Sequence, residues 1–385
     1  MMALEGIRVL DLCIVLAGPT CGRTLAEYGA EVIKIDSPTR PASDSMWIDV
    51  SRGKRSMILD LSKPEGKAVF YRLLATADVV VQNFRKDVAD RLGVGYEAVQ
   101  AAKPDIIYAS INAFGYEGPW ATRPGFEQNG QAATGIQARE GGPDGPPSLA
   151  PFPVNDYGTG IMAAYAVMLA LYERSRTGQG QHVDAALAYT GSLLQSPFLI
   201  DFAGHQHQDI GGPTARGFSA LSRLYEAQDG WLYLEASHHD AWDRLLTLPQ
   251  FASLAGDSRF ASRNLRREHD ADLIDGLARI FAEDMVEQWL ARLNGAGVPA
   301  VRNAALREFY DDPALREAGF VVTREHEALG TVDQVGVPAR LSRTPPRMGH
   351  PSQPAGAETE TILREIGYTA QQIAGLRQLG AIPRS

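Results

Sequence analysis

The carboxylate best placed to do chemistry in this chain lies in a glycine-rich segment. Asp156 belongs to Pro153–Gly160, Pro-Val-Asn-Asp-Tyr-Gly-Thr-Gly, just before the longest apolar run, Ile161–Tyr172. Because a helix N-terminus favours a negative charge, Asp156 is predicted to be an accessible, ionised carboxylate. Such a group can attack an activated acyl carbon. An ordinary helix N-cap is the alternative that the residues leave open.

Three basic segments are candidates for holding an anionic ligand. They are Arg52-Gly53-Lys54-Arg55, Lys63 with Lys67, and Asn83-Phe84-Arg85-Lys86 followed by Arg91. The third directly follows a predicted strand, so its first residues are expected where ligands bind in parallel sheets. There Phe84 could stack on a purine, Asn83 could hydrogen-bond to it, and Arg85 could pair with phosphate. Solvated surface charge with a core-facing Phe84 is the alternative.

The first 115 residues alternate between Val- and Ile-rich runs and amphipathic segments. The runs predict strands at Ile7–Leu12, Glu31–Asp36, Asp78–Gln82 and Asp105–Ile111. The segments between them predict helices at Thr20–Tyr28, Pro64–Thr76 and Tyr96–Ala102. Near-continuous apolar strands joined by helical crossovers are typical of a parallel sheet covered on both faces. We therefore expect an α/β fold with a doubly wound, Rossmann-like sheet.

The rest of the chain predicts a second, smaller domain. Ala138–Pro151 is rich in Gly and Pro and predicts a loop, whereas Ile161–Tyr172 is apolar almost all round and predicts a buried helix. Gly204–Gly217 is a breaker region and a plausible boundary. A strand at Trp231–Ala236 and helices at Ala271–Phe281, Met285–Leu293 and Thr369–Gly380 follow. The expected domains are 1–205, 218–310, and a segment 311–385 that returns to the large domain.

Composition excludes several classes of protein. The 385 residues are 44% hydrophobic and 22% charged, as in a globular chain, and the net charge of −9 argues against broad nucleic-acid binding. No apolar run reaches the length of a membrane span, and no signal peptide is recognisable. Two cysteines fit a reducing, cytoplasmic location. His205 with His207, and His238 with His239, lack partner acids at metal-like spacing, so no metal site is expected. Dinucleotide, phosphate-loop and hydrolase-elbow motifs are absent.

Several motifs together carry a resemblance to a known family. They are Leu4–Leu12, Ala17–Pro19, Leu25–Ile35, Arg52–Ser56, Leu59–Gly66, Ala77–Arg85 with Arg91–Gly93, Val154–Gly160, Arg176–Gly180 and, more loosely, Ala357–Gly367. In this order they resemble the class III coenzyme A-transferases, which include formyl-CoA transferase and crotonobetainyl-CoA:carnitine CoA-transferase. The similarity runs nearly from end to end.

The resemblance implies an activity and the residues that perform it. CoA passes from an acyl-CoA to a free carboxylic acid through an aspartyl-CoA thioester on Asp156, and Glu127 is an acid near the reacting carboxyl. Backbone N–H groups would stabilise the oxyanion, and Gly158 and Gly160 would leave room for this. Coenzyme A enters as a thioester substrate, no cofactor is bound permanently, and two chains form an intertwined homodimer. The implied CoA site comprises Leu16, Ala17, Leu59, Asp60, Leu61, Ser62, Asn83, Phe84, Arg85 and Arg91.

Some positions depart from formyl-CoA transferase. Ser37 replaces an Arg that faces the nucleotide, Pro124 replaces a basic residue, and the stretch Ser37–Trp47 is shorter than usual. The glycine loop that covers small substrates has only a weak equivalent at Gly211–Pro213, so a bulkier acid than oxalate is expected. The alternative in the same family is an α-methylacyl-CoA racemase, whose His base falls on Phe126, which cannot transfer a proton. A non-catalytic acyl-CoA-binding protein is the alternative from another class.

Overall fold

The computed structural model describes residues 1–39, 45–205 and 211–383. The chain forms two compact units. The large unit comprises Met1–Ala138, Leu149–His205 and Ala318–Ser385, and the small unit comprises Arg139–Ser148 and Gln206–Glu317. Parts of Ser37–Trp47 and of Gly204–Gly217, including His207, lie outside the described residues.

A six-stranded parallel sheet forms the centre of the large unit, in the order β3-β2-β1-β4-β5-β6. Its strands are β1 (Arg8–Asp11), β2 (Glu31–Asp36), β3 (Arg55–Ile58), β4 (Val79–Gln82), β5 (Ile107–Asn112) and β6 (Gln181–Ala186). The order is that of a Rossmann-type sheet, so the predicted fold class is confirmed. The two edge strands, β3 and β6, were not predicted, because polar residues interrupt their apolar pattern.

Helices cover both faces of this sheet. They are α1 (Ala17–Glu27), α2 (Ser45–Val50), α3 (Pro64–Leu74), α4 (Lys86–Leu92), α5 (Tyr96–Ala102), α6 (Glu127–Thr134), α8 (Val154–Thr177) and α9 (Leu187–Leu194), with a 3₁₀ turn at Ser196–Phe198. A further short helix, α7 (Ile136–Gly141), begins in the large unit, and its last three residues belong to the small unit. The three predicted crossover helices are confirmed, with ends shifted by up to three residues. The predicted loop Ala138–Pro151 is wrong at its start, because α7 continues to Gly141.

Close packing of α1 on α8 depends on one glycine. A Cβ on Gly160 would lie 2.5 Å from the carbonyl oxygen of Ala17 and 2.6 Å from the Cβ of Thr20. A Cβ on Gly158 would lie 2.8 Å from the Cγ2 of Thr190 in α9. These glycines therefore let neighbouring helices approach each other. The contact fixes α1, which follows β1, against the first turns of α8.

The apolar helix α8 is not fully buried in the single chain. Ala163, Ala164 and Val167 pack into the core, but Tyr165 is 51% exposed and Tyr172 is 65% exposed. Other large apolar side chains on the exposed face are Ile161, Met162, Met168 and Leu169. The prediction of a buried helix is therefore wrong for a single chain. Apolar residues lie on two faces of α8, and the large unit covers one of these faces.

The small unit has its own antiparallel sheet and apolar core. The sheet order is β10-β9-β8-β7. Its strands are β7 (Gly217–Ser219), β8 (Ser222–Ala227), β9 (Gly230–Glu235) and β10 (Ala300–Arg302). Its helices are α10 (His239–Leu245), α11 (Ala252–Ala255), α12 (Arg263–Glu268), α13 (Asp270–Phe281), α14 (Val286–Gly295), α15 (Leu306–Asp311) and α16 (Pro313–Glu317), with 3₁₀ turns at Pro249–Phe251 and Ser258–Phe260. Phe251, Phe281 and Trp289 are buried at its centre. The predicted strand and two helices are confirmed here.

The chain after Ala318 belongs to the large unit. It forms a hairpin of β11 (Val321–His326) and β12 (Gly330–Val335), then α17 (Thr359–Glu365) and α18 (Ala370–Gln378). The amide of Asp60 donates to the carbonyl of Ala381 at 2.8 Å, so the tail is bonded beside the end of β3. The predicted helix at Thr369–Gly380 is confirmed as α18, and Thr369 and Gln372 form a capping box at its start. Among the described residues, no helix is both long and apolar enough to cross a membrane.

Candidate active site

A cavity of about 690 Å³ opens at the carboxyl ends of the large unit's strands. Chain segments that follow β1, β2, β3, β4 and β5 all contribute to its wall, and β1 and β4 flank the point where the strand order reverses. Ligands bind at this place in doubly wound sheets. The lining residues used below are Val15, Leu16, Ala17, Ser37, Leu59, Asp60, Leu61, Ser62, Asn83, Phe84, Arg85, Asn112, Pro124, Phe126 and Asp156.

Asp156 lines this cavity from the first turn of α8. Its side chain is nearly buried, with 8% of the residue exposed. Burial, and then the nearby charge of Glu127, raise the pKa of the Asp156 carboxyl from its ordinary 3.8 to about 7. The prediction of a carboxylate held in its ionised form by the helix is therefore wrong, since removal from water outweighs the helix dipole. The group is reachable from the cavity and ionises near neutral pH.

Glu127 holds the start of α8. Its Oε2 accepts a hydrogen bond from the backbone amide of Asp156 at 2.6 Å, and its Oε1 accepts one from the amide of Asn155 at 3.2 Å. These amides are among the unpaired donors at a helix N-terminus, so Glu127 takes the capping role that was considered for Asp156. Glu127 is buried and does not belong to the cavity lining. Its geometry is that of a positioning residue for Asp156.

Two buried residues beside this pair were missed in the sequence. The Nε2 of Gln131 donates to Glu127 Oε1 at 2.8 Å, which fixes the carboxylate from the next turn of α6. The spacing of four residues between Glu127 and Gln131 is the signal that could have found it. Asn155 is fully buried, and its side-chain oxygen and nitrogen have no partner among the described residues. A Cβ on Gly130 of α6 would lie 3.2 Å from the Nδ2 of Asn155, and one on Gly191 of α9 would lie 3.1 Å from its Oδ1, so this side chain is packed against both helices.

The turn between β1 and α1 is strained and clamped. Val15 has φ +65°, a left-handed conformation that costs a β-branched residue about 1–3 kcal/mol. Asn83 holds the preceding residue, because its Oδ1 accepts from Ile14 N at 2.9 Å and its Nδ2 donates to Ile14 O at 2.6 Å. Each polar end of the Asn83 side chain thus makes one hydrogen bond to Ile14, which shapes the cavity wall. Recognition of a purine by its amide stays a prediction.

The first basic segment is structural. Arg52 pairs with Glu27 at 2.6 Å, and Arg55 pairs with acids that include Glu365 at 2.7 Å. Lys54 Nζ lies 2.7 Å from Asp11 Oδ2 and donates to Pro19 O at 2.7 Å, all within the buried interior. The prediction that this segment binds an anionic ligand is therefore wrong. The positive charges of Arg52, Lys54 and Arg55 are paired with carboxylates of the large unit.

The other basic residues are distributed unevenly around the cavity. Arg85 is exposed at the mouth of the cavity. Among the described residues that line the cavity, it is the one with a positively charged side chain. Lys63 donates to Leu379 O, and Lys67 is absent from the lining as described. Arg91 is exposed on α4 and lies outside the described lining, so its role in CoA binding stays a prediction.

The structure brings ten of the twelve predicted site residues together around the cavity, leaving Glu127 behind Asp156 and Arg91 outside. Gly158 and Gly160 do not line the cavity; they are packing positions within α8, whose amides beyond the first turn are used by the helix. The two glycines thus leave room for Ala17, Thr20 and Thr190, and oxyanion stabilisation by backbone N–H groups stays a prediction. Phe126 presents a ring, 64% exposed, to the cavity wall.

The chain that forms this Rossmann-type unit, with Asp156 in the wall of its cavity, matches one family along most of its length. Residues 4–359 match CoA-transferase family III, and the chain belongs to that family. It is a CoA-transferase, which moves CoA between an acyl-CoA and an acid. The resemblance drawn from the motifs is thereby confirmed.

Relatives of this chain extend over its full length. A succinyl-CoA–D-citramalate CoA-transferase from Chloroflexus aurantiacus is 32% identical, over 97% of this chain and 96% of the relative. A succinate–glutarate CoA-transferase from Agrobacterium fabrum is 31% identical, over 94% of this chain and 95% of the relative. A solved CAIB/BAIF family protein from Brucella suis is 29% identical with a TM-score of 0.83, covering 95% of this chain and 99% of that one.

Proposed function

We propose that Asp156 is the covalent nucleophile of this CoA-transferase. A carboxylate oxygen of Asp156 attacks the acyl-CoA carbonyl, giving a mixed anhydride and free CoA thiolate. The thiolate attacks the aspartyl carbonyl of the anhydride, which releases the first carboxylic acid and leaves an aspartyl-CoA thioester. The acceptor carboxylate then repeats the two steps in reverse. Every step exchanges one acyl bond for another, so no oxidant or external base is needed.

The observation that supports this role most strongly is the position of Asp156 in the cavity wall with a raised pKa of about 7. A carboxylate of raised basicity is a better nucleophile, and near neutral pH a large fraction of it is ionised. Its near burial also limits water, which would otherwise hydrolyse the anhydride and the thioester. Glu127 fixes the backbone from which Asp156 projects.

We propose that CoA occupies the cavity along the ends of β1, β3 and β4. The walls there are formed by Leu16 and Ala17, by the turn Leu59–Ser62, and by Phe84 and Arg85. Arg85 would pair with a phosphate, since it makes no ion pair with a described residue. Arg91, exposed on the neighbouring helix α4, would add charge at the edge of this site. The apolar remainder of the wall suits the pantetheine arm.

Two other activities are distinguished by single features. A racemase needs a base on each side of the α-carbon, and Phe126 supplies a ring at one of these positions. A non-catalytic binder would have no use for a reachable carboxyl group whose pKa lies near 7. Both features favour transfer.

The decisive experiment traps the thioester. The protein is incubated with succinyl-CoA, chosen from the names of the relatives, and digested for mass spectrometry of the peptide that contains Asp156. Transfer predicts CoA attached at Asp156, or a hydroxamate after hydroxylamine treatment, and neither with Asp156→Asn. Asp87→Asn, which removes an exposed carboxylate from α4, is the matched control and should be labelled normally. An unmodified peptide across a panel of acyl-CoA donors would refute the covalent role, and exchange of the α-hydrogen with deuterated water would indicate a racemase.

We also propose that the chain acts as a homodimer that covers the exposed apolar face of α8. This face carries Ile161, Met162, Tyr165, Met168, Leu169 and Tyr172. Tyr189, Leu193 and Leu194 on α9 extend the exposed apolar surface. An area of this kind is costly to leave in water, and a second copy presents the same face. Tyr165→Asp with Leu169→Asp should give a monomer by light scattering, whereas Glu97→Lys, an exposed charge on α5, should remain a dimer. A monomeric wild-type protein would overturn the proposal.

A further inference from the structure

The small unit has a polar cavity of its own, of about 620 Å³. Its wall consists of Phe218, Ser219, Leu221, Ser237, Arg263, Arg266, Arg267, Asp270 and Leu273, which all belong to the small unit. None of these residues lines the cavity of Asp156. The volume falls within the range of small-molecule sites.

Three arginines of α12 dominate this wall. Arg263, Arg266 and Arg267 are spaced by three and four residues, which brings side chains to the same face of a helix. Three positive charges close together repel one another, and a carboxylate or a bound anion would reduce this repulsion.

Arg266 is the fixed member of the three. It is 5% exposed, its guanidinium lies 4.7 Å from the centre of the Trp242 ring, and its Nη1 donates to the Phe260 carbonyl at 3.0 Å. Burial lowers the pKa of Arg266, the charge of Arg263 lowers it further, and Asp243 opposes the shift. A guanidinium held by a ring and a carbonyl keeps its remaining donors in a fixed direction.

Two of the three arginines have no carboxylate partner among the described residues. Asp270, the acid in the wall, accepts a hydrogen bond from Ala220 N at 2.9 Å. Arg263 and Arg267 make no ion pair with any residue that the structure describes. By contrast, Arg259 lies 2.7 Å from Asp257 and 3.2 Å from Asp272. Unpaired arginines stand out in a chain whose net charge is −9.

We propose that this arginine cavity binds a small, multiply charged anion, either a phosphate compound or a polycarboxylate. The planar donor forks of arginine match the paired oxygens of both groups, and the hydroxyls of Ser219 and Ser237 lie in the same wall. The site is additional to the acyl-CoA cavity and does not depend on the proposed role of Asp156.

Calorimetry of the full chain with pyrophosphate and, separately, with citrate tests the proposal. Both probes lack a pantetheine arm. We expect saturable binding of at least one probe, weakened about tenfold or more in Arg263→Gln and in Arg267→Gln, because each removes a charge-assisted contact. Both side chains are exposed, so the variants should fold. Arg279→Gln, an exposed charge on α13 outside this cavity, should bind as wild type does.

The two probes and one further variant separate the possible outcomes. Binding of pyrophosphate alone identifies a phosphate site, binding of citrate alone identifies a carboxylate site, and binding of both identifies the shared chemistry. Asp156→Asn should bind the probe unchanged even if it abolishes transfer. Failure of both probes to bind the wild type would overturn the proposal. Binding by the Arg263 and Arg267 variants with the same affinity as the wild type would also overturn it.

Discussion

The Oε2 of Glu127 lies 2.6 Å from the backbone amide nitrogen of Asp156. One acid thus holds the main chain of the residue whose side chain faces the cavity, and it does so with a charge that opposes ionisation of that side chain. Burial is the main cause of the raised pKa of Asp156, and the charge of Glu127, the residue that also positions the Asp156 backbone, raises it further. Positioning and reactivity of the carboxyl group are therefore coupled.

The pH dependence of transfer should report this coupling. The pKa of Asp156 is about 7, and the ionised form attacks the thioester, so activity should rise as pH rises through 7. Well below that value, kcat/KM should fall about tenfold per pH unit. Initial rates between pH 5 and 8.5 with a fixed acyl-CoA measure the curve. A kcat/KM that stays constant down to pH 5 would contradict the raised pKa of Asp156.

Removing the carboxylate should stabilise the protein in alkaline solution. The folded-state pKa of Asp156 lies above its ordinary 3.8, so the folded chain binds the proton more tightly and loses stability as pH rises from about 4 to 7. Asp156→Asn abolishes this loss. We expect its free energy of unfolding to exceed that of wild type by about 2–4 kcal/mol at pH 8. Urea titrations at pH 8 and pH 4.5 measure it, and the difference should nearly vanish at the lower pH.

Changing Glu127 to glutamine should shift the acid limb of the pH–rate curve, which is the low-pH part in which activity falls, and should also slow the reaction. Glu127→Gln removes the negative neighbour of Asp156, so the pKa of Asp156 should fall and the acid limb should move to lower pH. The new side chain keeps one acceptor oxygen and turns its NH2 group toward one of the two backbone N–H groups, of Asn155 or Asp156, so one of these donors loses its acceptor. This should cost about 1–3 kcal/mol of stability and reduce kcat. The measurement is the pH–rate curve beside that of Glu97→Gln, an exposed first-turn acid of α5. An unchanged limb with reduced kcat would assign Glu127 a purely structural role.

Asn83 should matter for binding more than for bond breaking. Asn83→Ala removes both hydrogen bonds to Ile14 and should release the strained Val15 turn at the cavity. We expect a loss of about 1–2 kcal/mol in stability and a higher KM for acyl-CoA, with an unchanged acid limb. Asn83→Asp keeps the acceptor and loses the donor, so its KM should be intermediate. Equal KM values in all three proteins would show that the clamp does not shape the CoA site.

The buried pair of Asp11 and Lys54 should govern stability. Burial by itself would raise the pKa of Asp11, but the charges of Lys54 and Lys34 lower it. Lys54→Met strands Asp11 and frees the Pro19 carbonyl at the start of α1, so we expect a loss of about 3–5 kcal/mol in urea denaturation. The double variant with Asp11→Asn should recover part of that loss. A single variant that costs less than about 1 kcal/mol would contradict the strength assigned to the pair.

The sequence was sufficient for the central strands and the parallel sheet. Their apolar runs are buried on both faces, so the local pattern and the final environment agree, as at Val79–Gln82. It was insufficient for β3 and β6, where Arg55 and Gln181 begin edge strands with mixed polarity. It also overstated the burial of α8, since periodicity records that a face is apolar and not what covers it.

The sequence by itself determined that Asp156 begins a long helix and that Asn83–Arg85 ends a strand, because short-range pattern sets both. Tertiary structure decided which basic side chains are available to a ligand. Arg52, Lys54 and Arg55 form ion pairs with carboxylates, whereas Arg85 lies at the cavity. It also assigned the helix cap to Glu127, which is far from Asp156 in sequence. Hydrogen bonds and burial between distant segments set these roles and the pKa of Asp156, and residue spacing along one chain does not encode them.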